Sequence, residues 1–276
     1  MWFADIGIAM ALVAVAGWVL VATLAFVLPR FGRTVPALLL TAPTRLPLLA
    51  GTGAVVLLFA AQAGVVDTVA DSAGAGLLDR LVWAWFVAHR DPALDQVMIA
   101  VSTVGNTVGM GVLALIGAAV LWRLRHRVEA ALVVISAAGS SLLITGFKNL
   151  YGRGRPPVAQ QLTAENTAAL PSGHSLGSMV VLGVLAAVIV LLVRRPVVQT
   201  LAVLAAAVGI VTIGASRLYL GVHWMTDVLT GWLLGGAWLA LCVTTLIVFR
   251  HLRPVATPMT SQADLVDGLP RNGAAR

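Results

Sequence analysis

The chain has 276 residues, 59% of them hydrophobic and 11% charged, with a mean hydropathy of +0.96. Soluble domains carry about 25% charged residues, so this composition excludes a soluble globular protein and indicates an integral membrane protein. The net charge of +7 would suggest nucleic acid in a soluble chain, but the arginines fall mostly in short loops between apolar runs, where they report topology, and no nucleic-acid partner is expected.

A helical crossing needs about 20 mostly apolar residues, and seven such spans can be read in chain order. They run over Ile6–Leu28, Leu46–Val66, Val97–Trp122, Ala130–Phe147, Ser175–Val193, Val197–Ala215 and Met225–Phe249. The first is longer than the apolar core of a signal peptide, about 7–15 residues. Its charges, Asp5 before and Arg30 and Arg33 after, are in the reverse order. Between the second and third spans, residues 77–90 are too short and too charged to cross. Their paired Trp83 and Trp85 suit the headgroup layer, so an interfacial helix is expected there. The segment from Pro254 to Arg276 is polar, with glycine, proline and mixed charge, and is expected to be disordered. The lone cysteine, Cys242, lies within a span, which excludes an internal disulfide and a cysteine-based metal site.

Loop charge suggests the orientation. Arg30, Arg33 and Arg45, then Arg123, Arg125 and Arg127, then Arg194 and Arg195, then Arg250 and Arg253 fill alternate connections, which are expected on the cytoplasmic side. The loop with Asp67, Asp71, Asp79, Asp91 and Asp95 is expected outside, and with it the loop from Lys148 to His174. That loop breaks the trend with Lys148, Arg153 and Arg155, so its cations are read as serving binding rather than topology.

The polar loop and the start of the last span hold the chemistry. Lys148 is the only lysine of the chain. With Arg155 and Arg217 it supplies fixed positive charge, and the two guanidinium forks match phosphate oxygens. Ser172 offers a hydroxyl, and Gly173 permits close backbone approach. The run Pro171-Ser172-Gly173-His174 enters the fifth span, so a helix N-terminus faces the same place and favours an anion. His223 and Asp227 are four apart and are expected on one helix face. A carboxylate on one ring nitrogen fixes the tautomer and leaves the other free to attack. His174 can then serve the leaving oxygen and later activate water.

These residues resemble the type 2 phosphatidic acid phosphatase superfamily, which includes lipid phosphate phosphatases and shares its site with vanadium haloperoxidases. Its pattern is a lysine, six residues and Arg-Pro; then Pro-Ser-Gly-His; then Ser-Arg, five residues, His, three residues and Asp. Lys148 with Arg155-Pro156, Pro171 to His174, and Ser216-Arg217 with His223 and Asp227 match it without departure. The resemblance implies phosphate binding by Lys148, Arg155, Ser172, Gly173, His174 and Arg217. It implies His223 as nucleophile, Asp227 as its partner and His174 as acid and base, with no cofactor and no metal. It covers about Leu46 to Phe249.

The expected architecture is therefore an all-α integral membrane bundle of seven helices with one interfacial helix. Residues 1–45 hold the extra N-terminal helix and a cytoplasmic loop, 46–250 the six-helix phosphatase core, and 251–276 the tail. The expected activity is hydrolysis of a lipid phosphomonoester or pyrophosphate of the phosphatidic acid, phosphatidylglycerol phosphate or undecaprenyl pyrophosphate type. The membrane would be a bacterial inner membrane, with the site outside; its partners would be the lipid substrate and membrane lipids. A phosphotransferase sharing the same intermediate is the first alternative. A transporter or scramblase is the second, disfavoured because ionisable residues sit at span ends rather than mid-span. Arg153 is read as a solvated loop arginine, Tyr219 as an interface anchor, His89 and Arg90 as interfacial charge, Asn106 as a packing residue, and Ser216 as a helix-end hydrogen bonder.

Overall fold

The structure is a computed structural model and describes residues 42–70 and 75–252. The expected first span, Ile6–Leu28, and the expected tail from Pro254 lie outside the described residues. Eight α-helices follow in order: α1 (Ala42–Ala70), α2 (Ala75–Ala88), α3 (Pro92–Gly105), α4 (Thr107–Arg123), α5 (Arg127–Tyr151), α6 (Gly173–Leu192), α7 (Pro196–Tyr219) and α8 (Met225–Leu252). A short 3₁₀ turn, Val158–Gln160, lies in the α5–α6 loop. Among the described residues there is no strand. Among the described residues five helices, α1 and α5 to α8, are long and apolar enough to cross a membrane, and the bent pair α3–α4 makes a sixth if counted as one span.

The expected span over Val97–Trp122 is bent within its length. The chain turns by 55° between Gly105 and Thr107. Asn106 has extended backbone dihedrals, and its side-chain oxygen accepts from the Gly109 amide at 2.7 Å, capping α4. An asparagine cap satisfies an amide that a helix start leaves open, so Asn106 ends one helix and begins the next rather than acting as a packing residue.

α6 is the centre of the bundle and packs on α3, α4, α5, α7 and α8, while α1 lies against α8. One core cluster joins Phe59 of α1, Phe147 of α5, Leu176 and Val180 of α6 and Leu234 of α8. Another joins Ala114 of α4, Val133 of α5, Val181 and Val184 of α6 and Ile213 of α7. Large apolar side chains such as Val108, Leu142 and Val197 are turned outward, which suits contact with lipid. With apolar surface on both sides of a helix, close packing and internal hydrogen bonds hold the bundle. Gly231 illustrates the packing: a Cβ there would sit 2.7 Å from the Ser172 carbonyl, so glycine lets α8 press on the entrance to α6.

α2 forms over the segment expected at the interface. It exposes Leu77, Leu78, Leu81 and Trp85, yet Asp79 is buried. α2 rests on α7 and α8. The α2–α3 corner is fastened to the end of α7 by Tyr219. Its hydroxyl accepts from the Asp91 amide at 2.8 Å and lies 2.8 Å from Asp95 Oδ1, while Arg90 donates to the Tyr219 carbonyl at 2.9 Å. Tyr219 and Arg90 are thus fold clamps. His89 is exposed, stacked on Trp85.

Candidate active site

The end of α5, the starts of α4 and α6, the loop 152–172 and the turn before α8 meet at a polar cavity of about 530 Å³. Each element stops where it must for this. α5 ends at Gly152, whose φ of 56° is left-handed and whose amide donates to the Lys148 carbonyl, leaving Lys148 in the last turn. α6 starts after the Ser172 cap, putting His174 in its first turn. α7 carries Arg217 in its last turn, and the turn after it delivers His223.

His223 and Asp227 meet as the motif implies, though not by sharing a helix face. His223 lies in the turn before α8, and Asp227 in the first turn of that helix. His223 Nδ1 is 3.2 Å from Asp227 Oδ2, an oxygen that also accepts from the Trp224 amide at 2.9 Å. On the other side of the ring, Arg155 Nη1 lies 3.2 Å from Nε2. A guanidinium can only donate, so the network places the proton on Nδ1 and the lone pair on Nε2. Burial and the nearby charges of Arg217, Arg155 and Lys148 hold the His223 pKa well below the usual histidine value. The imidazole is therefore neutral, with an unshared pair beside the cations.

Those cations are fixed by loop carbonyls and hydroxyls. Lys148 Nζ donates to Thr167 Oγ1 at 2.8 Å and the Ala168 carbonyl at 2.7 Å. Arg155 Nε donates to the Thr167 carbonyl and Nη1 to the Val222 carbonyl, both at 2.7 Å. Burial lowers the Arg155 pKa, opposed by Glu165 and Asp227, and the group remains a cation. Arg217 is 1% exposed; it donates to Ser102 Oγ and Glu165 Oε1, and its Nε has no partner. His174 lines the cavity, its Nε2 3.3 Å from Ser102 Oγ. The α3–α4 bend thus has a role in the site, since it brings Ser102 to His174 and Arg217 and Thr107 to the cavity wall.

Lys148, Arg155, Gly173, His174 and His223 line the cavity together, and Arg217 and Asp227 support it from behind. Ser172, expected at the anion, stands at the entrance of α6. It is fully buried and caps α6, 3.4 Å from the Ser175 amide and 3.0 Å from the Ser175 hydroxyl. Its own amide donates to the Asp227 carbonyl at 3.0 Å, so its visible work is to lock α6 to α8. Ser216 bonds the Ile213 carbonyl at 2.7 Å, as a helix-end residue.

Arg153 overturns its reading as a solvated loop residue. Its side chain is 17% exposed and forms ion pairs with Asp227 at 2.5 Å and Asp79 at 2.7 Å. Glu165 was not singled out from the sequence, yet its carboxylate reaches Arg217 and, at 3.5 Å, Arg155. The available signal was that Glu165 is the sole acid between Lys148 and His174. Ser102 carried no signal, being one of three hydroxyl residues, with Thr103 and Thr107, in an apolar span.

Known proteins similar to this chain point to one family. The pattern of the PAP2 superfamily matches residues 129–250, which hold every motif residue. Phosphatidylglycerophosphatase B of Bacillus subtilis (strain 168) is 32% identical over 153 residues, covering 54% of this chain and 73% of that protein. The crystal structure described as the first transmembrane PAP2 type phosphatidylglycerolphosphate phosphatase from Bacillus subtilis superposes with a TM-score of 0.65 at 28% identity. That match covers 68% of this chain and 93% of the other.

Proposed function

The chain belongs to the PAP2 superfamily and is a multi-pass membrane phosphatase, and from that premise we propose that it hydrolyses a lipid phosphomonoester through a phosphohistidine on His223. The observation that carries this reading is the His223 ring, with Nδ1 turned to Asp227 and Nε2 to the cation-lined cavity. In the first step the Nε2 pair attacks phosphorus. The bond from phosphorus to the ester oxygen breaks, its electrons leave with that oxygen, and His174 gives the oxygen a proton. Asp227 stabilises the positive ring that forms. In the second step His174 takes a proton from water, the oxygen attacks phosphorus, and the N–P bond returns its electrons to Nε2. Lys148, Arg155 and Arg217 hold the non-bridging oxygens as charge redistributes. Loop carbonyls hold Lys148 and Arg155 in place, while Arg217 and Arg155 exchange Glu165 for the phosphate oxygens.

Phosphatidylglycerol phosphate is the first substrate to test, because the named relatives act on it, with phosphatidic acid and undecaprenyl pyrophosphate beside it. The outer face of a bacterial inner membrane is the proposed location, from the alternation of loop arginines. No step needs a metal. Phosphate release by the detergent-solubilised protein in excess EDTA tests the reaction. Release from at least one lipid, lost in His223→Ala, is expected; release unchanged in that variant overturns the assignment. Phosphate appearing mainly on an added alcohol acceptor would select the transferase instead.

A further inference from the structure

The Asp227 carboxylate is divided between two duties. Oδ2 accepts from the Trp224 amide and faces His223 Nδ1, while Oδ1 accepts from Arg153 Nη1 at 2.5 Å. The other arm of Arg153 donates to Asp79 Oδ2 at 2.7 Å. Asp79 is 1% exposed and comes from the interfacial helix α2. It is itself fixed at the start of α8, its Oδ1 accepting from the Thr226 amide at 2.9 Å and its Oδ2 from the Thr226 hydroxyl at 2.6 Å. The backbone of Arg153 is pinned as well, since its carbonyl accepts from the Ala169 amide at 2.9 Å. The next carbonyl, Gly154, accepts from Trp224 Nε1 at 3.0 Å. A guanidinium is a rigid planar fork, so holding one arm on Asp79 sets where the other meets Asp227.

We propose that Arg153 and Asp79 are positioning residues for the nucleophile, a clamp from the interfacial helix that holds the Asp227 carboxylate in the orientation presented to His223. This rests on the reading of His223 as the attacking group. Burial makes the clamp consequential. Asp227 is fully buried, and without the cation between them Asp79 and Asp227 would be two buried carboxylates facing one another, an arrangement that resists double ionisation. The carboxylate would then turn or take up a proton, and in either case the tautomer of His223 would no longer be enforced.

The test uses Arg153→Met, Arg153→Lys and Asp79→Asn in the full-length protein. Partners that orient a reacting group from behind typically contribute about 10- to 100-fold. Arg153→Met is therefore expected to lower kcat by that factor with KM little changed. Arg153→Lys, a point charge that cannot bridge both carboxylates, should recover part of the loss, and Asp79→Asn should give a smaller loss than Arg153→Met. The pH profile separates positioning from a role in folding. The groups facing the dyad are Arg153, Arg155, Arg217, Lys148 and His174. Removing the cation that holds Asp227 changes what stabilises the imidazolium, so the acid limb of kcat in Arg153→Met should shift in pH, whereas partial unfolding would scale the profile without moving it. Folded Arg153→Met and Asp79→Asn proteins with wild-type kcat and an unmoved limb would overturn the proposal. If Arg153→Met does not fold, Arg153→Lys and Asp79→Asn decide by the same criteria. If the wild-type protein hydrolyses nothing, the hydrolase reading fails, and the clamp is read from His223 ring NMR: signals identical in wild type and Arg153→Lys overturn it, and altered Nδ1 signals support it.

Discussion

Arg155 Nη1 lies 3.2 Å from His223 Nε2, opposite the Asp227 carboxylate at Nδ1. The histidine is thus held from both sides, by an anion that fixes the proton and by a cation beside the free lone pair. The same arginine is tied by two backbone carbonyls, so the ring and the anion site form one rigid unit. Incoming phosphate oxygens would take over the contact with Nη1 and place phosphorus at the freed lone pair.

A neutral His223 has a pH signature. Imidazolium cannot attack, so activity falls as pH drops through the folded-state pKa. Burial and three cations lower that pKa from the ordinary 6.5. Ring NMR of imidazole-labelled protein should show His223 unprotonated at pH 6.5 and titrating only well below it. A midpoint at or above 6.5 would contradict the assigned electrostatics.

Glu165 occupies the place of an anion, its carboxylate between Arg217 and Arg155. Phosphate and Glu165 compete for the same guanidinium donors, so Glu165→Gln should bind phosphate and vanadate more tightly. The side chain is 24% exposed, and a partly solvated pair is worth about 1 kcal/mol, roughly a fivefold change. KM and the vanadate inhibition constant should both fall by about that factor. A rise in both constants would show that Glu165 instead helps to hold the substrate.

Tyr219 is buried and fastens α7 to the α2–α3 corner through its hydroxyl. Tyr219→Phe leaves the Asp91 amide without that acceptor. It should cost about 1–3 kcal/mol of stability, read as a lower unfolding midpoint in detergent, with kcat/KM close to wild type. A large loss of kcat/KM in a protein of unchanged stability would make Tyr219 part of the site.

The motif residues were legible because phosphate chemistry fixes their types and the chain fixes their spacing. Lys148, Arg155, Gly173, His174 and His223 do line one cavity. Arg153 was misread because its partners Asp79 and Asp227 are each 74 residues away, and no local pattern encodes that meeting. The break at Asn106 was hidden by hydropathy, which stays high across it, although Gly105-Asn106 combines a flexible residue with a good cap. Ser172 was assigned by its motif to the anion, while its position before α6 equally suits the cap it forms. The expected first span lies outside the described residues, and the six-helix core is represented by five spans and the bent pair.

The proposed reaction passes through a covalent bond between phosphorus and His223. Brief reaction with a lipid substrate radiolabelled in its terminal phosphate, followed by denaturing quench, tests it most directly. Label on the protein that is stable in alkali, lost in acid, mapped to His223 and absent from His223→Ala is expected. Turnover with no labelled protein at any quench time, together with label-free release by His223→Ala, would contradict it.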